Sequence, residues 1–452
     1  MQELEQIPKP VEEQNTDTSQ TKEKKKNASG FEAAVGTSRK WNAREAGREV
    51  AETAIRQLHE PPSFFLLFST IHYEKYGGFQ EFLNGVWDVL PKGTPLVGGT
   101  VAGFANPEGC YSRGTTAIAI SYLNMDVAIG MGNNTKRRPK NAGNTASDMI
   151  KNKLKSSQFK NKFLFSIISG PTLPKSPLFG TMKVIKNKKY SQLLSKLTYL
   201  STRLNQVGLG RESEVLNGLC EKMMDYALIG ISTNDDNKYL NHYQFLGSKV
   251  LKNSVVVLGF HTDLNIFIKT SYGLIPTGKK AKITASENWN YVVKKLDGRP
   301  AVDVYFEQTG ISKDIINAEN IHRITPFLPL GCYHQDGTLH PYPIASFLGD
   351  YLLFGHDTVN EEIEFLSASG ESLIYAVDEA IASLPEKPKF MIVSSCAGRL
   401  ETLGREIYHE RNKIMEKIDD NFIILYGLGE ARKDPMKLPH MLQESFNVAA
   451  FY

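Results

Sequence analysis

Apolar runs and amphipathic stretches alternate along the chain, and one order of them occurs three times. The first copy has an apolar run at residues 64–68, an amphipathic stretch at 79–89 and a second apolar run at 95–100. Short apolar runs bounded by turn residues are typical of buried strands, whereas apolar positions three and four residues apart indicate a helix. Two further runs, at 117–122 and 127–131 with a turn at Asn124, predict a hairpin.

The other two copies follow the same order. Their first strands are predicted at 163–168 and 390–393, and their second strands at 227–231 and 422–426, with helices at 215–224 and 403–418 between them. A hairpin at 255–260 and 266–268 follows the second copy, and a closing strand at 448–452 follows the third. From the first to the second apolar run of a copy, the offset is 31 residues in copy one (64 to 95) and 32 in copy three (390 to 422), but 63 in copy two (163 to 226). Copy two therefore contains an insertion, which we place at about 171–208.

The pattern predicts an α/β fold with mixed or antiparallel sheets and flanking helices, built from repeated strand–helix–strand–hairpin units in two lobes. The lobes are predicted at 41–275 and 276–452 and are expected to enclose a cleft near the glycine turns. Residues 1–40 are polar, with a lysine-rich run at 22–26, and are predicted to form a disordered tail. Order is expected to begin near Trp41 with a helix at 46–58. Between copies two and three we predict helices at 289–296, 301–308 and 371–384 and strands at 351–354 and 363–366.

The composition and the cysteine content of the chain exclude several classes of protein. The chain has 452 residues, 41% hydrophobic and 23% charged, which is ordinary for a globular protein. It contains no apolar run long enough for a membrane helix, and its polar N-terminus has no signal-peptide pattern. The four cysteines are scattered and form no CxxC pair, so neither a disulfide framework nor a zinc-finger site is expected. We expect a cytoplasmic protein with reduced thiols and no membrane span.

Six short motifs occur in a fixed order, at residues 96–103, 228–235, 296–305, 394–399 and 426–430 and in the segment at His440. In this order the chain resembles the FIST domain proteins, with both FIST N and FIST C regions, from about Trp41 to Tyr452. The resemblance implies a sensory, ligand-binding module, with an amino acid as the suggested ligand. Other members carry output domains or an F-box, and some are haem-containing nitric-oxide sensors. This sequence shows neither addition, so we expect a stand-alone module that signals through a separate, unidentified partner.

The sequence departs from the family pattern in two further places. The turn after the second strand of copy two is less glycine-rich than is usual, and the polar run after His440 is only partly kept. Glycines at these turns either form tight turns and bulges or admit a ligand close to the backbone, and the pattern does not separate the two. The candidate ligand-binding residues are Gly98, Gly99, Thr100, Asn234, Asp235, Cys396, Arg399, Gly429, Glu430 and His440.

Arg399 and Glu430 suit an amino-acid zwitterion, with Arg399 binding the carboxylate and Glu430 the ammonium group. The alternative is an internal salt bridge between the two. Asp235, with its neighbour Asp236, is more typical of a turn that caps backbone groups than of a metal site.

Cys396 could act as a nucleophile with His440 as its base, but an inert thiol after a buried strand is the favoured interpretation. No nucleophile, base and orienting group stand out together, so we expect a protein that is not an enzyme. No cofactor is expected. A haem-based gas sensor is the alternative function, because His261, His334, His340, His356, His409 or His440 could serve as an axial ligand.

The net charge of +4 conceals a basic block. Between residues 136 and 196 there are fifteen Lys or Arg and one acid, Asp148, a local charge of +14, which leaves −10 for the rest of the chain. The block predicts either a solvated loop or a weak contact with a polyanion or acidic partner. A third candidate function is therefore a scaffold that docks through the insertion lysines Lys183, Lys186, Lys188 and Lys189.

Overall fold

The computed structural model describes residues 30–173, 175–176, 180–181, 184–334, 337, 339–355 and 362–452. The strands of the first half are β1 (Glu32–Ser38), β2 (Phe64–Thr70), β3 (Leu96–Val101), β4 (Gly103–Asn106), β5 (Gly109–Tyr111), β6 (Thr115–Ser121), β7 (Met125–Asn133), β8 (Asn161–Ile168), β9 (Lys175–Ser176), β10 (Gly180–Thr181), β11 (Val184–Ile185), β12 (Ala227–Ser232), β13 (Gln244–Leu246), β14 (Lys249–Leu251), β15 (Ser254–Thr262) and β16 (Ile266–Ser271).

The strands of the second half are β17 (Leu274–Glu287), β18 (Val292–Leu296), β19 (Arg299–Pro300), β20 (Leu330–Tyr333), β21 (Leu339–Tyr342), β22 (Ile344–Leu348), β23 (Tyr351–Phe354), β24 (Glu362–Ala368), β25 (Phe390–Cys396), β26 (Phe422–Gly427), β27 (Glu430–Lys433), β28 (His440–Leu442) and β29 (Phe446–Phe451). The α-helices are α1 (Ala43–Ile55), α2 (Phe79–Trp87), α3 (Pro139–Lys153), α4 (Lys188–Leu204), α5 (Glu212–Cys220), α6 (Ala301–Thr309), α7 (Ile321–Ile324), α8 (Gly370–Ala382), α9 (Ala397–Leu403) and α10 (Tyr408–Met415).

Three six-stranded sheets share one topology, which confirms the predicted mixed α/β fold with flanking helices. Their strand orders are β1-β6-β2-β3-β13-β14, β7-β15-β8-β12-β27-β28 and β16-β29-β25-β26-β4-β5. In each sheet the central pair is parallel (β2 with β3, β8 with β12, β25 with β26), and the strands on either side are antiparallel. The parallel pair is the strand–helix–strand unit of each predicted copy.

The predicted hairpins are wrong, because consecutive strands enter different sheets. Strand β6 pairs with β1 and β2, whereas β7 pairs with β15 in the second sheet. Likewise β15 remains in the second sheet, while β16 pairs with β29 in the third. Residues 32–38, part of the predicted tail, form β1, which pairs antiparallel with β6 at the edge of the first sheet. The prediction of disorder is therefore wrong for this segment. Residues 1–29 lie outside the described residues.

The parallel strands are buried on both faces, so the apolar core has one layer between the sheets and another between each sheet and its helices. In β2, Phe64, Leu66 and Phe68 belong to a central apolar cluster that also contains residues of β8, β25 and β26. The alternating residues Phe65 and Leu67 pack outward against α1 and α2. The other two sheets are covered in the same way, one by α3 and α5 and the other by helices α8 to α10. Near-continuous hydrophobic strands are what parallel pairs buried on both faces require.

A fourth sheet has nine strands. Eight of them follow the order β11-β22-β23-β18-β17-β24-β20-β21, and β19 pairs with β18 beside this path. The helix predicted at 289–296 is wrong, because Val292 and Val293 lie in β18 between β17 and β23. The insertion in copy two includes α4, and its strand β11 pairs with β22 of this sheet.

Strands of the two predicted lobes share sheets. β27 and β28 join the sheet of β8 and β12, and β4 and β5 join the sheet of β25 and β26. The second and third six-stranded sheets therefore each contain strands from both sides of the predicted boundary at 275–276. Among the described residues, no helix combines the length and apolar character needed to cross a membrane.

Candidate functional site

The candidate site is a cavity at the carboxyl ends of two parallel strand pairs, where open α/β sheets commonly bind ligands. It contains about 630 Å³ of non-protein space, part of it open to solvent. Three regions line it. The second copy contributes Pro171, Glu212, Asn237 and Tyr239; the segment around the nine-stranded sheet contributes Ile321, His322, Thr325, Pro326, Pro343, Ile344, Ala345 and Gly355; the third copy contributes Cys396, Ala397, Gly398, Gly427, Leu428, Gln443 and Glu444.

Asn234 and Asp235 build the loop that forms one wall. The Asn234 Oδ1 accepts hydrogen bonds from the amides of Asp235 (2.6 Å) and Asn237 (2.8 Å). The Asp235 carboxylate accepts from the amides of Tyr239, Leu240 and Asn241, at 2.6 to 2.8 Å. These side chains hold the loop so that Asn237 and Tyr239 line the cavity. The turn-capping interpretation of Asp235 is therefore confirmed.

Arg399 is fully buried and serves the packing of the third copy. Its Nε donates to Glu410 Oε1 at 2.8 Å, and its terminal nitrogens donate to the carbonyls of Leu373 (2.9 Å) and Tyr272 (3.3 Å). Its ion-pair partner is thus Glu410 and not Glu430 as the sequence suggested. With its donors directed to these groups and its side chain absent from the cavity lining, Arg399 does not present a guanidinium to a ligand.

Buried carboxyl groups lie at the cavity. Glu212 and Glu444 line it, each 3% exposed, and Glu430 is fully buried close by. Burial raises the pKa of Glu444 to about 7, although Arg399 opposes the shift. Burial, reinforced by the neighbouring Glu444 charge, also raises the pKa of Glu430 well above its usual range. Ser445 donates its backbone amide and hydroxyl to Glu430 Oε2, at 3.3 and 2.9 Å. The site concentrates acidic groups in a place of low solvation.

Gly398 lets the Glu444 carboxylate approach the backbone. A Cβ at this position would lie 2.6 Å from Glu444 Oε1, so any larger residue would displace the carboxylate. Cys396, two residues earlier, accepts a hydrogen bond at its Sγ from the Gly398 amide at 3.3 Å. Burial, together with Glu430 and Glu444, raises the pKa of the Cys396 thiol, which holds it in its weakly nucleophilic protonated form.

The glycine turns of the other copies serve close packing. A Cβ on Gly98 would meet the Leu67 carbonyl at 1.7 Å, and one on Gly99 would meet Thr233 and Tyr243 within 2.9 Å. Thr100 pairs through its backbone with Tyr243. In the third copy, a Cβ on Gly429 would lie 2.8 Å from Met441 Cε, whereas Gly427 lines the cavity. Gly98, Gly99, Thr100 and Gly429 are therefore absent from the cavity lining.

A second buried polar group lies behind Glu212. Lys136 is buried and donates from Nζ to Thr172 Oγ1 at 2.7 Å. Burial lowers the pKa of Lys136 to about 7, even though Glu212 and Asp235 act in the opposite direction. Burial likewise lowers the pKa of His242 to about 4, while His242 Nε2 lies 2.7 Å from the Pro171 carbonyl. The contact of His242 with Pro171 links the segment that follows Asn234 to a residue of the cavity lining.

His440 is absent from the cavity lining and lies in a cluster with His334 and His340. Its Nδ1 is 2.9 Å from His340 Nε2. Of the other histidines considered for haem, His261 contacts the Tyr226 hydroxyl and His409 contacts Asp378, while His356 lies outside the described residues.

The described lysines of the insertion are absent from the cavity lining. Lys186, Lys188 and Lys189 are exposed on or beside α4, and Lys183 lies outside the described residues. Lys188 forms an ion pair with Asp350 at 3.0 Å.

Sequence reasoning missed the residues that line the cavity on the acidic side, Glu212, Asn237, Tyr239, Gln443 and Glu444. One usable signal existed: the run 234–237 contains four Asn or Asp residues directly after a strand, which indicates a tight, shaped loop. Glu444 lies four residues beyond His440 but in a different local site, so spacing alone could not separate them.

The chain was compared with protein families, with curated proteins and with solved structures. No curated protein matches it. A solved structure of cyanuric acid hydrolase from A. caulinodans is similar at 9% identity and a TM-score of 0.30, over 93% of this chain and 99% of that one. The FIST N domain, a sensory and ligand-binding module, matches residues 63–299, which is more than half of the chain. This chain belongs to the FIST N domain family.

Proposed function

We propose that this protein binds a small molecule bearing an ammonium group, such as an amino acid, in the cavity between Glu212 and Glu444. The observation that carries the proposal is the pair of nearly buried carboxyl groups, Glu212 and Glu444, on the wall of one cavity. A buried carboxylate is stabilised by a cation that enters beside it, because the cation replaces the solvation lost on burial.

The carboxylate end of an amino acid would meet polar groups other than Arg399. Asn237, Tyr239 and Gln443 line the same cavity and carry amide or hydroxyl donors. This proposal keeps the ligand class that the family resemblance implies, but it replaces Arg399 and Glu430, the two residues first considered for the ends of the ligand.

The proposed role is non-catalytic sensing in the cytoplasm, with the signal passed to a separate partner protein. We infer that the chain beyond the matched residues, which contains β25, β26 and β29, is the FIST C part of the module. The predicted boundary at 275–276 lies inside the FIST N match, which runs to residue 299. A cavity bordered by both parts gives a ligand a way to alter their packing, which a partner could detect.

The experiment is isothermal titration of the full chain with amino acids and, in parallel, with their N-acetylated forms, which lack the ammonium charge. The proposal expects binding of at least one amino acid, at least tenfold weaker binding of its N-acetyl form, and a similar loss in Glu444→Gln. The matched control is Glu379→Gln, a half-exposed carboxylate on α8 paired with Lys269, which should bind as the wild type does.

Native mass spectrometry of the purified chain supplies the candidate ligand if one co-purifies. Equal affinity of wild type and Glu444→Gln, or preference for the N-acetyl form, would overturn the proposal.

A further inference from the structure

Three histidines converge where the nine-stranded sheet meets the sheet of β8 and β12. His334 follows β20, His340 lies in β21 and His440 begins β28. The His334 and His340 rings stack with centroids 3.4 Å apart, and the His440 ring stands nearly perpendicular to both, at 79°. His340 is 5% exposed, and the other two are partly buried.

The ring nitrogens of these residues are close enough to share one ion. One nitrogen from each lies within 4.8 Å of the others, and His340 Nε2 is 2.9 Å from His440 Nδ1. Zinc binds imidazole nitrogen at about 2.0–2.1 Å, so two ligands of a tetrahedral ion lie about 3.3 Å apart. The stacked His334 and His340 rings would have to turn from this arrangement for a nitrogen of each to face one shared ion.

We propose that His334, His340 and His440 form a binding site for a divalent transition-metal ion, with zinc as the best match. Three neutral imidazoles suit zinc, copper and nickel, and do not suit the hard cations magnesium or calcium, which prefer oxygen ligands. The three ligands leave one further position of a tetrahedral ion for water or another donor.

An ion bound by the three histidines would link two sheets of the fold. The β20–β21 hairpin and β28 belong to different sheets, so the ion links two sheets. Three residues beyond His340 the chain reaches Pro343, and three beyond His440 it reaches Gln443; both residues line the cavity. The metal therefore fastens two walls of the cavity to one another.

The test uses the full chain without a histidine tag, stripped of metal with a chelator. Zinc is titrated by calorimetry, and cobalt(II) is added separately to follow its visible d–d absorption. We expect about one equivalent of zinc in the wild type, with at least tenfold weaker binding in His340→Ala and His440→Ala. The control is His409→Ala, a partly buried histidine paired with Asp378 on another face, which should bind zinc as the wild type does.

Thermal unfolding distinguishes loss of the site from loss of the fold. Zinc should raise the melting temperature of the wild type and of His409→Ala but not that of His440→Gln. His334→Ala gives a third variant, because His334 lies just after the last residue of β20 and outside both strands. Failure of the wild type to bind zinc, or unchanged binding in folded His440→Gln and His334→Ala, would overturn the proposal. Either outcome is independent of the proposed amine ligand.

Discussion

Breaking the buried pair Arg399–Glu410 is expected to destabilise the protein strongly while leaving the cavity lining unchanged. Arg399 is fully buried and Glu410 is 1% exposed, with 2.8 Å between Arg399 Nε and Glu410 Oε1. Removing one partner of such a pair leaves an uncompensated charge in the interior, at a cost of about 3–5 kcal/mol. We therefore expect Arg399→Met and Glu410→Leu each to lower the free energy of unfolding by about this amount.

The hydrogen bonds around the pair refine this expectation. Glu410 also accepts from the Tyr426 hydroxyl at 3.0 Å, and Arg399 donates to the backbone carbonyls of Leu373 and Tyr272. Glu410→Leu leaves the arginine charge unpaired, whereas Arg399→Met leaves the glutamate charge unpaired and two carbonyls with one donor fewer. The double variant removes both charges, so its loss should be well below the sum of the single losses.

The assay is urea unfolding of the two single variants and the double variant, followed by tryptophan fluorescence and circular dichroism. The double-mutant cycle should give a coupling of about 2 kcal/mol or more, in the range found for residues in direct contact. The pair Lys269–Glu379, partly exposed at 3.2 Å, is the control and should contribute about 0–1 kcal/mol. The reasoning fails if Arg399→Met costs under about 1 kcal/mol, or if the two single effects simply add.

Two further predictions concern the acidic cavity and the helix packing. The pKa of Glu444, about 7 in the fold, lies above its unfolded value, so the folded state binds the extra proton between about pH 4.5 and 7. The free energy of unfolding should therefore fall as pH rises through this window, and Glu444→Gln should flatten the profile; an unchanged profile would refute the assignment. Gly47→Ala should cost about 1–3 kcal/mol in chemical denaturation, because a Cβ would lie 2.0 Å from the Phe82 carbonyl where α1 meets α2. Gly370→Ala, with nothing within 4 Å of its Cβ, should be nearly neutral, and equal costs for the two would contradict the close-packing argument.

The strand–helix–strand units could be predicted because their signal is local. In β2, apolar residues occupy both faces, and the amphipathic stretch at 79–89 contains α2, so burial and periodicity together identify the unit. Strand β18 was missed for the opposite reason. Its few apolar residues also fit helical spacing, and only the neighbouring strands β17 and β23 select the extended form.

The site was predicted less well than the fold. Cys396 lines the cavity, and Asp235 caps the loop beside it. Arg399 was assigned to a ligand because an arginine after a buried strand resembles an anion site, yet its partner Glu410 lies on a helix that spacing cannot place. Glu212 and Glu444 are far apart in sequence, and neither belongs to a motif that marks it.

The sequence by itself determined which segments form the buried parallel strand pairs, that these pairs recur three times, and that copy two carries an insertion. These properties depend on the burial of each residue and on its near neighbours in the chain. Only the tertiary structure decided which strands pair. The hydrophobic pattern of β6 and β7 fits a hairpin in one sheet as well as it fits two strands in different sheets, which is the observed arrangement. It alone also decided which polar groups meet. The desolvation that raises the pKa of Glu444 and the convergence of His334, His340 and His440 arise from chain segments that no local pattern connects.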